Sequence, residues 1–317
     1  ILVYHRVAGP RRDPQWLDVR KGNFGAQLDQ LLQSARTLPL GEFEARRRAG
    51  TLPPRAVAVT FDDGYADNLL AAVPLLERHG VPATVFVTAG MIGGDREFWW
   101  DDAERIAFAS QVLVPPVPGL DVAWSASDGA HVAADPATDR WTVQEPSDPT
   151  PRHRLYRALC AALKPLPTPE RERRLAAWRA WAGVPDAARE THRALTRHEL
   201  VTLSRRPGIG IGAHTMTHPS LALLTPGEQL RELRDSRTWL EDVIRSPVRS
   251  VAYPFGTSSD VSEATEHAAV EAGFDVALAN EPAAAWRWSR RSLVPRVLVR
   301  DWDGPTFAQQ VNAWFDA

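Results

Sequence analysis

Apolar and polar positions along this chain follow two alternating periods, and that alternation predicts an α/β protein. Ile1–Tyr4 is a short, wholly apolar run of strand character. Phe24, Leu28, Leu31 and Leu32 then recur at helical spacing behind Asn23, which predicts a helix capped by that asparagine. AVAVTF at Ala56–Phe61 predicts a second strand, cut off by Asp62-Asp63-Gly64. Leu69, Leu70, Val73 and Leu76 share one helical face closed by Gly80, and VPATVFV at 81–87 predicts a third strand. Strand, helix and strand in that order form a crossover unit with parallel strands.

The alternation lapses between about Asp95 and Arg193, where Pro-rich stretches, scattered tryptophans and an Arg-rich helical stretch at Pro169–Trp181 predominate. So many aromatics argue for a folded insertion rather than a linker. Regularity returns with a capping box at Thr196 and Glu199 and an apolar strand at Gly208–Ala213. A long helix then starts at Thr225, Pro226 and Glu228, with Leu230, Leu233, Leu240 and Ile244 facing inward. Ser250–Tyr253, Val276–Ala279 and Leu293–Val299 are further strands, and Ser262–Ala272 is a helix. The expected organisation is one α/β domain over 1–94 and 196–317 with a mostly parallel sheet, interrupted by a subdomain at 95–195.

Composition narrows the function classes. A net charge of -2 gives no electrostatic case for nucleic acid or an anionic membrane, and no apolar run is long enough to span a bilayer. One cysteine, Cys160, excludes an intramolecular disulfide and a Cys-rich metal site, so any metal must be held by His and carboxylates. A chain that opens on a strand favours the cytoplasm over the periplasm or secretion. It also lacks an initiator Met, which leaves room for removed upstream residues.

Two segments carry candidate chemistry. TFDDGY at 60–65 ends a strand, the end at which parallel α/β folds gather ligands, and adjacent carboxylates there can take separate tasks. Its alternative is a helix N-terminus, with one Asp capping and the other meeting the dipole. HTMTHP at 214–219 also follows a strand, and Pro219 biases His218 away from helix, which places both histidines on a loop. Its alternative is a pair of ordinary surface or core histidines. Together the segments offer two His and one carboxylate with open positions, plus a second carboxylate free as a base, the composition of a catalytic zinc site.

TFDDGY followed far downstream by HTMTH resembles the polysaccharide deacetylase family, the nodulation-factor-deacetylase-like group also called carbohydrate esterase family four. The resemblance covers Ile1 to about Gly94 and Thr196 to the end. It implies a distorted (β/α) barrel of about seven parallel strands with a large insertion. It further implies a divalent cation, zinc or another such as Co2+, Ni2+ or Mn2+, on Asp63, His214 and His218. Asp62 would be the base that takes a proton from the attacking water, and the backbone N–H of Tyr65 would help hold the oxyanion. VAYPFG at 251–256 is similar to the segment of the exopolysaccharide and poly-N-acetylglucosamine deacetylases, which makes Tyr253, Pro254 and Phe255 substrate-binding candidates. Ala252 stands where the family's base-orienting arginine usually sits, so Arg296 is the candidate for a displaced partner of Asp62, with a structural ion pair as its alternative. The family's late histidine is also missing. His5 is the candidate general acid, against a packed strand-end histidine.

The function implied is hydrolysis of the N-acetyl amide of an N-acetylhexosamine in a polysaccharide, oligosaccharide or glycolipid. An amidase or deformylase on another small amide, such as an N-formyl sugar or cyclic ureide, is the alternative with the same centre. A catalytically inactive glycan-binding protein is the third possibility. Trp99, Trp100 and Trp141 are candidates either for stacking on sugar or for the core.

Overall fold

A computed structural model describes residues 1–109, 112–122, 125, 127–128 and 136–316. Two compact units emerge: Ile1–Gly9 with Leu17–Gly94 and Ala194–Ala317, and Pro10–Trp16 with Asp95–Arg193.

The first unit is built on seven parallel strands: β1 (Leu2–Tyr4), β2 (Val59–Phe61), β3 (Ala83–Val87), β4 (Ile209–Ala213), β5 (Ser250–Ala252), β6 (Val276–Leu278) and β7 (Val297–Leu298). Their order is β6-β5-β4-β3-β2-β1-β7, and every pair is parallel. The last segment joins the two edges of the sheet. Val294 bridges Leu278 of β6, and three residues later Val297 and Leu298 pair with β1. Closure through one short segment makes a distorted (β/α) barrel.

Period-two alternation divides the strand residues between two apolar layers. Ala58, Phe86, Ala252, Leu278 and Val294 form a buried cluster that includes Ile1 and Phe43. Val59, Phe61, Val85, Val87 and Val251 belong to the larger core with the surrounding helices. Gly212 makes room for Phe86, because a Cβ there would fall within the Phe86 ring.

Three local expectations need correction. The first helix runs Lys21–Ser34 behind Arg20, and Asn23 does not cap it; its amide bonds Asp301 instead. Asn68–Ala72 is a π-turn, whose wider spacing breaks the 3.6-residue register and turns Leu70 out to solvent. The Ala56–Phe61 run divides: Ala56–Val57 pair with Arg36–Thr37 in a separate two-stranded ladder, and Val59–Phe61 enter the barrel. The Thr196–Glu199 capping box is present, and Leu233 and Leu240 are buried on the Pro226–Ile244 helix.

The second unit contains the helices Trp99–Ala107, Pro151–Leu163 and Thr168–Ala182. Trp99, Trp100 and Trp141 are buried, as core residues. Arg189 binds the Glu97 and Glu104 carboxylates, and Arg179 binds Asp102. Among the described residues, no helix is long and apolar enough to cross a membrane.

Candidate metal centre and active site

Strand ends place the candidate residues. His5 follows β1, Asp62 and Asp63 follow β2, His214 follows β4, and Tyr253 to Phe255 follow β5. All lie at the C-terminal end of a parallel strand, where loops can vary without disturbing the barrel.

Asp63, His214 and His218 converge, with one ligand atom from each within 4.8 Å of the others. The Nε2 atoms of His214 and His218 lie 3.4 and 3.3 Å from Asp63 Oδ1. Both Asp63 carboxylate oxygens are buried without a hydrogen-bond partner. Burial alone would raise the Asp63 pKa, but the two imidazoles and the nearby His5 hold it well below the usual carboxylate range. An ionised, buried carboxylate facing two ring nitrogens is costly unless a cation completes it. This donor set fits a divalent ion with open coordination positions.

The imidazole loop is held from behind. His214 donates Nδ1–H to the Ala252 carbonyl at 2.7 Å, which fixes the tautomer and leaves Nε2 as a ligand atom. The backbone N–H groups of Met216 and Thr217 donate to one oxygen of Glu232 at 2.9 Å each, and the Thr217 hydroxyl donates to the other at 2.8 Å. His218 donates its N–H to Thr215 Oγ1 at 3.1 Å. Asp63, Thr215, His218 and Phe255 all have positive φ, at 74°, 63°, 55° and 60°. A non-glycine residue pays roughly 1–2 kcal/mol for that conformation, and such strain collects at functional sites.

Asp62 is fully buried and turned toward Arg296, which is also fully buried. Arg296 Nη1 and Nη2 donate to Asp62 Oδ1 and Oδ2 at 2.7 and 2.6 Å, a bidentate fork. The guanidinium lies over the Phe86 ring inside the barrel, 5.5 Å from its centroid. Burial pushes the Asp62 pKa up, but Arg296, first by its charge, together with His214 and His5 outweighs it and keeps the carboxyl below its ordinary range. His5 is buried with Nδ1 lacking a hydrogen-bond partner. Burial lowers its pKa despite the opposing charges of Asp63 and Asp62, so the ring is held neutral.

The remaining candidates divide. Tyr65 is buried beneath the Arg6 guanidinium, 4.7 Å from its ring centroid, and its neighbour Gly64 accepts from the Leu195 N–H. Tyr253 turns into the core and donates its hydroxyl to the Ser292 carbonyl, so its ring is removed from the site. Pro254 is buried, whereas the half-buried Phe255 packs edge-on against His218, centroids 4.9 Å apart. Sequence reasoning missed Glu232, which has no motif around it. It also missed Asn280, for which a polar residue two places beyond β6 was the only available signal.

The family model described as polysaccharide deacetylase matches residues 49–111 and 187–277. A Bacillus subtilis (strain 168) protein, YxkH, whose name assigns it provisionally to the polysaccharide deacetylases, is 31% identical over 301 residues, covering 94% of this chain and 70% of that protein. The chain belongs to the polysaccharide deacetylase family. It is therefore a member of a family of hydrolases. Two solved structures share its fold. The Streptococcus pyogenes deacetylase PplD in complex with acetate superimposes with a TM-score of 0.60 at 16% identity, covering 98% of this chain and 96% of that one. IcaB from Ammonifex degensii gives 0.59 at 20% identity, covering 100% and 96%.

Proposed function

We propose that this protein hydrolyses the N-acetyl amide of an N-acetylhexosamine in a polysaccharide, oligosaccharide or glycolipid, releasing acetate. We assign catalysis to the unit containing Ile1–Gly9, Leu17–Gly94 and Ala194–Ala317, since every candidate site residue lies in it. The carrying observation is the pairing of two unlike carboxylates: Asp63, without hydrogen bonds and facing two imidazoles, beside Asp62, ionised and clamped by a guanidinium. A divalent cation, zinc in the first place, would be held by Asp63, His214 and His218, and it supplies Lewis-acid polarisation of the amide carbonyl.

The protein's own groups then have separate tasks. The Asp62 carboxylate, kept charged by Arg296, accepts a proton from the attacking water. The Tyr65 backbone N–H stabilises the oxygen that gains charge as the carbonyl becomes tetrahedral. His5 is assigned the proton delivered to the departing sugar nitrogen, which it must first take up, because burial keeps the free ring neutral. Phe255, half-buried beside His218, offers an apolar wall to the acetyl methyl group. The acetate bound by PplD suggests the acid released.

Metal analysis and acetate release from chitooligosaccharides test this assignment. One ion per chain and acetate production are expected, with both the ion lost in a His214→Ala, His218→Ala double variant and turnover lost in Asp62→Ala. Formate release from an N-formyl sugar in preference to acetate would transfer the assignment to a deformylase. Full activity in Asp62→Ala would remove Asp62 as the base.

A further inference from the structure

We infer that Asn280 is a positioning residue that sets the base-holding arginine and the Phe255 wall with one side-chain amide. Its Oδ1 accepts from Arg296 Nη2 at 2.8 Å, and its Nδ2 donates to the Phe255 carbonyl at 2.9 Å. A guanidinium only donates and a carbonyl only accepts, and the amide, with a separate acceptor oxygen and donor nitrogen, satisfies both neighbours at once. The Asn280 backbone adds a third tie, donating its N–H to the Gly256 carbonyl at 2.8 Å.

These ties act where the chain is strained. Phe255 and Gly256 are consecutive left-handed residues, with φ of 60° and 66°. A Cβ on Gly256 would stand 2.7 Å from Asn280 N and 3.3 Å from its Cβ, so glycine permits the approach. Phe255 has no such freedom, and the Asn280 amide helps hold its unfavourable backbone. That conformation directs the ring onto His218. On the other side, Arg296 uses one edge for Asp62 and the outer Nη2–H for Asn280, which fixes the plane of the fork. Asn280 thereby links the proton-accepting side of the site to the wall beside the histidine loop.

The inference rests on the deacetylase reading for its kinetic arm, and two variants separate the amide's functions. Asn280→Asp keeps an acceptor toward Arg296 but places a carboxylate oxygen against the Phe255 carbonyl. Asn280→Ala removes both contacts. In Asn280→Asp, KM for an N-acetylated oligosaccharide should rise about tenfold, the scale of one lost buried hydrogen bond, with kcat within about threefold of the parent. In Asn280→Ala, KM should rise similarly and kcat should fall about tenfold as well, with one zinc per chain retained in both. Equal changes in both parameters for the two variants, or Asn280→Ala kinetics within twofold of the parent, would overturn the inference. Hydrogen exchange supplies an arm that does not need turnover. Faster exchange confined to residues 253–257 in Asn280→Asp, extending to 294–298 in Asn280→Ala, supports the two-sided role. The same pattern in both variants refutes it. A parent without deacetylase activity would defeat the proposed function and leave the exchange result to decide the role of Asn280.

Discussion

Replacing Arg296 by Met tests the central electrostatic claim, because the substitution keeps side-chain bulk and removes the fork. In the native chain Asp62 and Arg296 are both fully buried and joined at 2.7 and 2.6 Å. Without the guanidinium, Asp62 loses both donors, and Thr60 and Asn280 each lose one. Breaking a buried pair by removing one partner costs about 3–5 kcal/mol. At about 2–4 °C per kcal/mol, Tm should fall by roughly 10 °C. Burial, the largest influence on Asp62, then acts unopposed by its principal partner and raises the carboxyl, so more of it is protonated at neutral pH. A general base contributes about 10²–10⁴-fold, so kcat/KM should fall at least about 100-fold. Arg296→Lys keeps the charge but not the fork and should lie between. The decisive variant is Asp62→Asn with Arg296→Met: it leaves neither charge unpaired, so stability should recover largely while activity stays lost. Thermal unfolding by circular dichroism and acetate release read the two effects separately. Arg296→Met with activity within threefold of the parent and stability within about 1 kcal/mol would refute the reasoning.

Three further outcomes are expected. Glu232→Ala frees three donors of the His214–His218 loop and should weaken zinc affinity about tenfold in a competition titration, a scale set by outer-shell ligand supports; an unchanged affinity would dissociate Glu232 from the site. Gly212→Ala drives a methyl group into the Phe86 ring, and overpacking of this kind costs about 1–3 kcal/mol, so the urea midpoint should fall and activity with it, since Arg296 lies on Phe86. His153 in the second unit is buried between Thr150 and the Thr138 carbonyl, and burial lowers its pKa. The unfolded chain therefore takes up a proton that the folded chain resists: the stability from this histidine is complete above about pH 6.5 and is lost as pH falls through the lower folded value. Urea unfolding at pH 7.5 and 5.0 should show that loss in the parent and less of it in His153→Gln; equal losses would exclude His153 as its source.

What the sequence disclosed follows from how locally each feature is encoded. Asp63, His214 and His218 stand in two short segments directly after apolar strands, so residue type and strand end together foretold their meeting. Long periodic helices were legible for the same reason, and the errors came where a single residue changes the period, as at the π-turn before Val73. Arg296 and Asn280 belong to a different class. Arg296 immediately precedes its strand, level with Ile1 at the end of the barrel away from Asp62, and only its length lets the guanidinium rise inside the barrel over Phe86. Asn280 becomes meaningful only when β7 closes the sheet by joining β6 to β1. Both depend on the stagger of a closed barrel, which no local period encodes. Motifs thus locate the residues with open valences, whereas the groups that keep Asp62 charged and Phe255 in place arise from closure. A chain with both motifs intact but altered packing across β7 should therefore still bind its ion and fail as a catalyst.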